Sequence, residues 1–154
     1  MAPVVAAVAL GSNLGDRDAH LQFATARLAS ALTGLHVSRF VETDPVGVSS
    51  PQPRYLNGAV VGVATLPPRA LLAALLAIER ERGRRRPFTG APRTLDLDLV
   101  LYGDLVLDEP GLSIPHPRFR ERRFVLEPLA EIAGGLVDPV TGLTVGELLG
   151  RLGG

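Results

Sequence analysis

Asp96 and Asp98 stand two residues apart in the stretch Pro92-Arg93-Thr94-Leu95-Asp96-Leu97-Asp98-Leu99-Val100-Leu101. Leu95, Leu97, Leu99 and Leu101 alternate with other residues, the period of a half-buried strand, so the two acids point the same way, opposite the leucines. Two rises of ~3.3 Å put their Cα atoms about 6.5 Å apart. At an effective dielectric near 20, two ionised carboxylates at that separation repel by roughly 2.5 kcal/mol. A surface that carries both calls for a cation. Arg93 is one candidate and a hard divalent ion is the other. All-oxygen ligation suits Mg²⁺, which takes one or two carboxylates and completes its shell with water and substrate phosphates.

The basic residues point to the same chemistry. All 16 are arginine. Without lysine there is no P-loop and no lysine Schiff base. Ten arginines fall in two groups, Arg80, Arg82, Arg84, Arg85, Arg86 and Arg93, then Arg118, Arg120, Arg122 and Arg123. Guanidinium groups bind phosphate through paired donors. Carboxylates for a metal with loop arginines beside them suit polyphosphate transfer, which needs positioning and charge neutralisation. The formal net charge is zero, so overall charge gives no sign of a nucleic-acid or membrane partner. With no cysteine there is no disulfide framework or thiol nucleophile, and His20, His36 and His116 lack zinc-site spacing. The apolar start, Pro3 to Leu10, is too short for a signal peptide, and no run approaches the ~18 apolar residues of a membrane span. The expectation is a cytoplasmic, monomeric, single domain over residues 1–154.

The elements that must position these residues are legible in outline. Val4 to Ala9 reads as a buried strand ending in the turn Gly11-Ser12-Asn13-Leu14-Gly15-Asp16. Leu21, Ala24, Leu28, Ala31 and Leu32 recur at helical spacing. His36 to Thr43 reads as a second strand, Asp44 to Pro53 as a loop, and Tyr55 to Thr65 as a third strand. Pro67-Pro68 opens a helix from Arg69 to about Arg82, closed by Gly83. Arg84 to Pro92 is a basic loop, followed by the Asp96/Asp98 strand and a turn at Gly103-Asp104. Ile114-Pro115-His116-Pro117 is an extended connector. A helix covers part of Glu121 to Ile132, and Thr144 with Glu147 forms a capping box for a last short helix. The order β-α-β-β-α-β predicts an α+β, ferredoxin-like core: a mainly antiparallel sheet with helices packed on one face, plus C-terminal additions. A ferredoxin-like RNA-binding module is disfavoured. Aromatics make up only 5%, no aromatic cluster suits base stacking, and two acids on the open face repel phosphate unless a metal is bound.

The motifs resemble those of the 6-hydroxymethyl-7,8-dihydropterin pyrophosphokinase family of folate biosynthesis. The matching segments are Leu10 to Arg17; Glu42-Thr43-Asp44-Pro45-Val46-Gly47; Gln52-Pro53 with Tyr55-Leu56-Asn57; Ile78-Glu79 with Gly83-Arg84 and Arg86; Pro92 to Asp98; Tyr102-Gly103; Pro115-His116-Pro117-Arg118; and Arg122, Phe124-Val125-Leu126 and Pro128-Leu129. The resemblance implies transfer of the β,γ-diphosphate of ATP to the pterin hydroxymethyl group, releasing AMP. It implies that Asp96 and Asp98 bind two Mg²⁺ ions and that Arg84 and Arg93 close over the phosphates. It implies a pterin site of Tyr55 and Phe124 as stacking rings, Asn57 as the amide, and Thr43, Asp44 and Val46 as the backbone-contact loop. For ATP it implies His116 and Arg122, with Glu79 near the site or else an exposed helix carboxylate. The expected partners are therefore these two small molecules. Two departures stand out. The family usually carries a Trp just before Gly-Pro-Arg-Thr, whereas this chain reads Phe88-Thr89-Gly90-Ala91-Pro92-Arg93. Either Phe88 substitutes from a shifted position or the loop closes without an aromatic. Leu76 also stands where relatives can place a polar contact to adenine.

Overall fold

The computed structural model describes residues 3–44, 52–83 and 94–153. Its principal sheet has five strands. The spatial order is β2 (Leu32–Val37), β4 (Tyr55–Ala64), β1 (Val4–Ser12) and β5 (Asp96–Tyr102), with β3 (Val41–Thr43) also on β4, and every pairing is antiparallel. Helices α1 (Arg17–Leu28) and α2 (Pro68–Glu81) complete the β-α-β-β-α-β core. The expected second strand at His36 to Thr43 is only the end of β2 and the separate β3, because α1 stops at Leu28 and β2 already begins at Leu32, a residue expected to continue the helical pattern. Ser38 and Arg39 leave the ladder between β2 and β3, where the Ser38 hydroxyl accepts the Ala59 N–H and donates to the Arg39 carbonyl. A small hairpin of β6 (Leu107–Glu109) and β7 (Leu112–Ile114), not expected from the sequence, fills the connection after β5. A 3-10 turn at Phe119–Glu121 follows, then α3 (Arg123–Ala133) and α4 (Val145–Arg151). The Thr144/Glu147 capping box is present.

The sheet separates two apolar cores. Leu21, Leu28, Leu71 and Leu75 of α1 and α2 pack on Ala6, Val8, Leu10, Leu97 and Leu99. Val125, Leu126 and Leu129 of α3, with Val145 and Leu148 of α4, pack on Ala7, Ala9, Ala59 and Val61. The ferredoxin-like helices share one face, and the C-terminal additions cover part of the other. The face expected to be open therefore has α3 laid across it. Leu101 departs from the expected leucine alternation. The β1–β5 register shifts between Ala7 and Val8, so Leu101 joins the second core while Leu95, Leu97 and Leu99 stay in the first.

Candidate active site

The site is assembled from one row of the sheet. Gly11 on β1 lies opposite Asn57 on β4 and opposite Asp96 on β5, and Val41 on β3 lies opposite Asn57. Residues directly opposite in antiparallel strands share a face. Two strand spacings of ~4.8 Å therefore separate the Asn57 backbone from that of Asp96 by about 10 Å. Asp98 follows on the same face, opposite Ala9. Asp96 and Asp98 are both half-buried, and their backbone placement agrees with the period-2 expectation.

Gly11 forms the floor of this row. A Cβ built there would lie 3.0 Å from Asn57 Oδ1 and 3.5 Å from Tyr55 Cδ1. The Asn57 and Tyr55 side chains therefore crowd the same backbone. Asn57 is buried, and its Nδ2 donates to Thr43 Oγ1 at 2.5 Å. Thr43 is paired with Tyr55 across β3 and β4. A pocket of about 320 Å³ lies between β3 and the start of α3, lined by Val41, Glu42, Thr43, Asp44, Arg123, Phe124, Glu127 and Pro128. That volume falls at the small end of ligand sites. Pro128 has no N–H to bond the Phe124 carbonyl one helical turn back.

The ends of these strands are tied down by polar side chains. Asn13 is fully buried, and its Nδ2 donates to Gln52 Oε1 and to the Pro53 carbonyl, which agrees with a turn-building role. Arg17 donates to the Arg54 carbonyl and to Glu42, holding the β1–α1 junction against β3 and β4. The Arg17 hydrogen bond and charge set the Glu42 carboxyl below its ordinary pKa.

His116, Arg122 and Asp96 converge at the other end of the row. The His116 N–H donates to the Val100 carbonyl of β5, and its Nδ1 accepts the Arg118 N–H. Burial, then the charge of Arg122, pull the His116 pKa below 6.5, with Asp96 opposing and Arg118 adding to the fall. The Arg122 guanidinium lies over the Phe124 ring, 5.6 Å from its centroid. Glu79 is not an exposed helix carboxylate. It is 1% exposed, and its Oε2 accepts the N–H of Leu97, the residue between the two aspartates, at 2.7 Å. Sequence reading overlooked Gly11 as the floor, and its signal was a glycine at the buried end of an apolar strand. Val46, Arg84, Arg93 and Phe88 lie outside the described residues, and so does any arrangement of the basic loop.

The described part of the site thus sets a buried amide and a tyrosine ring on the sheet face that carries the two carboxylates, near a histidine and an arginine. Among the described residues no group of three or more histidine, aspartate or glutamate side chains is built as a metal site. Two carboxylate groups on one strand fit Mg²⁺, whose remaining ligands come from water and phosphate. No helix among the described residues is long and apolar enough to cross a membrane.

Comparison with known proteins identifies the family. Residues 7–134 match the family model described as 7,8-dihydro-6-hydroxymethylpterin-pyrophosphokinase. The chain is 46% identical over 147 residues to 2-amino-4-hydroxy-6-hydroxymethyldihydropteridine pyrophosphokinase of Synechocystis, covering 94% of this chain and 74% of that protein. It is 46% identical over 130 residues to the Bacillus subtilis enzyme of the same name, covering 83% of this chain and 77% of that one. A solved HPPK-DHPS structure in complex with substrates superposes with a TM-score of 0.80 at 11% identity, covering 98% of this chain. This chain spans 43% of that larger protein, a likeness that speaks to the fold. The chain belongs to the 7,8-dihydro-6-hydroxymethylpterin-pyrophosphokinase family, a family of ATP-dependent diphosphotransferases.

Proposed function

We propose that this protein transfers the diphosphate of ATP to the hydroxymethyl oxygen of 6-hydroxymethyl-7,8-dihydropterin. That oxygen bonds to the β-phosphorus, the bond from the β-phosphorus to the α,β-bridging oxygen breaks, and AMP leaves with that oxygen. The hydroxyl proton passes to solvent or phosphate. The observation that carries this reading is the row Asn57–Gly11–Asp96. An amide at one end suits the donor/acceptor edge of a pterin. The carboxylate at the other end lies about one bicyclic ring plus a one-carbon arm away, where the hydroxymethyl group would react.

In this reading Phe124 and Tyr55 stack on the two faces of the pterin, Asn57 bonds its edge, and Thr43, Asp44 and Val46 supply backbone contacts. The bond from Asn57 to Thr43 supports this, because it orients the amide before substrate arrives. Asp96 and Asp98 would hold the Mg²⁺ ions, whose charge neutralises the phosphates and favours the hydroxyl as nucleophile. Arg122 and His116 take the triphosphate. A neutral His116 there donates one hydrogen bond without adding a second full charge beside Arg122. Arg84 and Arg93 act on the phosphates from the basic loop. Glu79 serves the ATP site through the backbone of β5, by holding the Leu97 N–H between the two aspartates.

The test is AMP release from ATP and the dihydropterin, with and without Mg²⁺. AMP that requires both pterin and Mg²⁺, and that disappears in Asp96→Ala and Asp98→Ala, is the expected result. ADP in place of AMP would mean γ-phosphoryl transfer and overturn the assignment.

A further inference from the structure

Arg122 and Phe124 leave a 3-10 turn of three residues that has no side-chain cap. Phe119 anchors that turn in the second core, and the side-chain tie on Arg120 comes from the C-terminal chain beyond residue 134, where the match to the family model ends. Asp138 is fully buried and accepts four hydrogen bonds. Arg120 donates Nε at 2.5 Å to one oxygen and Nη2 at 3.0 Å to the other, Thr141 Oγ1 donates at 2.7 Å, and the Val140 N–H donates at 3.0 Å. The Arg120 guanidinium also lies over the buried Phe119 ring, 4.9 Å from its centroid.

Asp138 is itself fixed within its turn. Its N–H donates to the Leu143 carbonyl, and its own carbonyl accepts the Gly142 N–H. The fork between Arg120 and Asp138 is therefore anchored at the acidic end, and two parallel bonds set a direction as well as a distance. A buried ion pair adds little net stability over a well-packed apolar pair, and its attested advantage is structural specificity. Here that specificity falls two residues before Arg122.

We infer that Arg120 and Asp138 are positioning residues for the reaction, with the C-terminal turn setting where Arg122 and Phe124 meet the substrates. The inference rests on the pterin and triphosphate roles given to those two residues above. It assigns a functional role to a segment that otherwise reads as an appendage to the sheet.

Steady-state AMP release tests it, with KM for the dihydropterin measured at saturating ATP and Mg²⁺. Arg120→Ala and Asp138→Asn should each raise that KM about tenfold, the scale of effect expected from misplaced binding groups. Arg120→Lys, which keeps the charge but loses the fork, should fall between them and wild type. Leu28→Val in the first core lowers Tm without touching this turn, and its KM should stay within about twofold of wild type. Loss of folded protein alone lowers the apparent kcat and leaves KM in place. An unchanged KM in Arg120→Ala and Asp138→Asn would overturn the inference, and so would an equal rise in Leu28→Val. A wild type without pterin-dependent AMP release would instead remove the assignment beneath it, and the inference with it.

Discussion

Replacing Asp138 by Asn should change how stability depends on acid, and the size of the change follows from the site. Burial of the Asp138 carboxyl works against ionisation. It is outweighed by the Arg120 fork, the Thr141 hydroxyl and the Val140 N–H, which hold the pKa at about 2 against an ordinary 3.8. A depressed folded-state pKa stabilises the protein above the unfolded value, and that stability is lost as pH falls through the folded value. The gap between the two pKa values is worth roughly 2 kcal/mol at neutral pH, about half of it remaining at pH 3 and little at pH 2. Asn has no such titration. Urea unfolding of wild type and Asp138→Asn from pH 7 down to pH 2.5 is the assay. The stability gap should be about 2 kcal/mol at pH 7 and should close between about pH 4 and pH 2. Glu42, Glu131 and Glu147 also have lowered pKa values, but they are present in both proteins and cancel in the difference. A gap that stays constant down to pH 2.5 would show that the Asp138 charge does not stabilise the fold.

Gly11→Ala would place a methyl 3.0 Å from Asn57 Oδ1, so KM for the dihydropterin should rise about tenfold with little change in Tm; an unchanged KM would remove Gly11 from the binding floor. Glu79→Ala leaves the buried Leu97 N–H without its acceptor and should cost about 2 kcal/mol in urea unfolding, with Glu79→Gln retaining part of it. His116 should titrate below pH 6.5 by NMR, as its burial and Arg122 require, and a bound triphosphate should move the midpoint upward; a midpoint at or above 6.5 in the free protein would contradict the packing at β5. Asp96→Asn should reduce AMP release by at least about a hundredfold while the protein stays folded by circular dichroism, as expected when transition-state charge goes unneutralised.

The sheet was legible where side chains alternate sharply in size and polarity. Asp96-Leu97-Asp98-Leu99 announces its face because acids and leucines cannot exchange places. The covered second face was harder to read. It is built on Ala7, Ala9 and Ala59, and small apolar residues contribute little contrast. The available signal was the unbroken apolar run of β1, since a strand buried on both faces has no reason to alternate. The shift that sends Leu101 to the second core leaves no mark in composition, because leucine suits either core. Arg120 and Asp138 are 18 residues apart in the chain, and no local periodicity links a basic turn to an acid that far away.

The small residues that hid the second face also account for the location of the pocket. Ala7, Ala9 and Ala59 let α3 rest close to the sheet. Further along β1 the side chain shrinks to nothing at Gly11, and Asn57 and Tyr55 occupy the space a Cβ would need. The first turn of α3 lies beside β3, where Phe124, Val41 and Thr43 line the pocket. A bulky residue at position 9 or 59 would lift α3 and with it Phe124. One at position 11 would leave α3 seated and push the amide. The two kinds of substitution should therefore separate experimentally. The first should act on binding through the seat of α3, and the second through Asn57 while α3 stays seated.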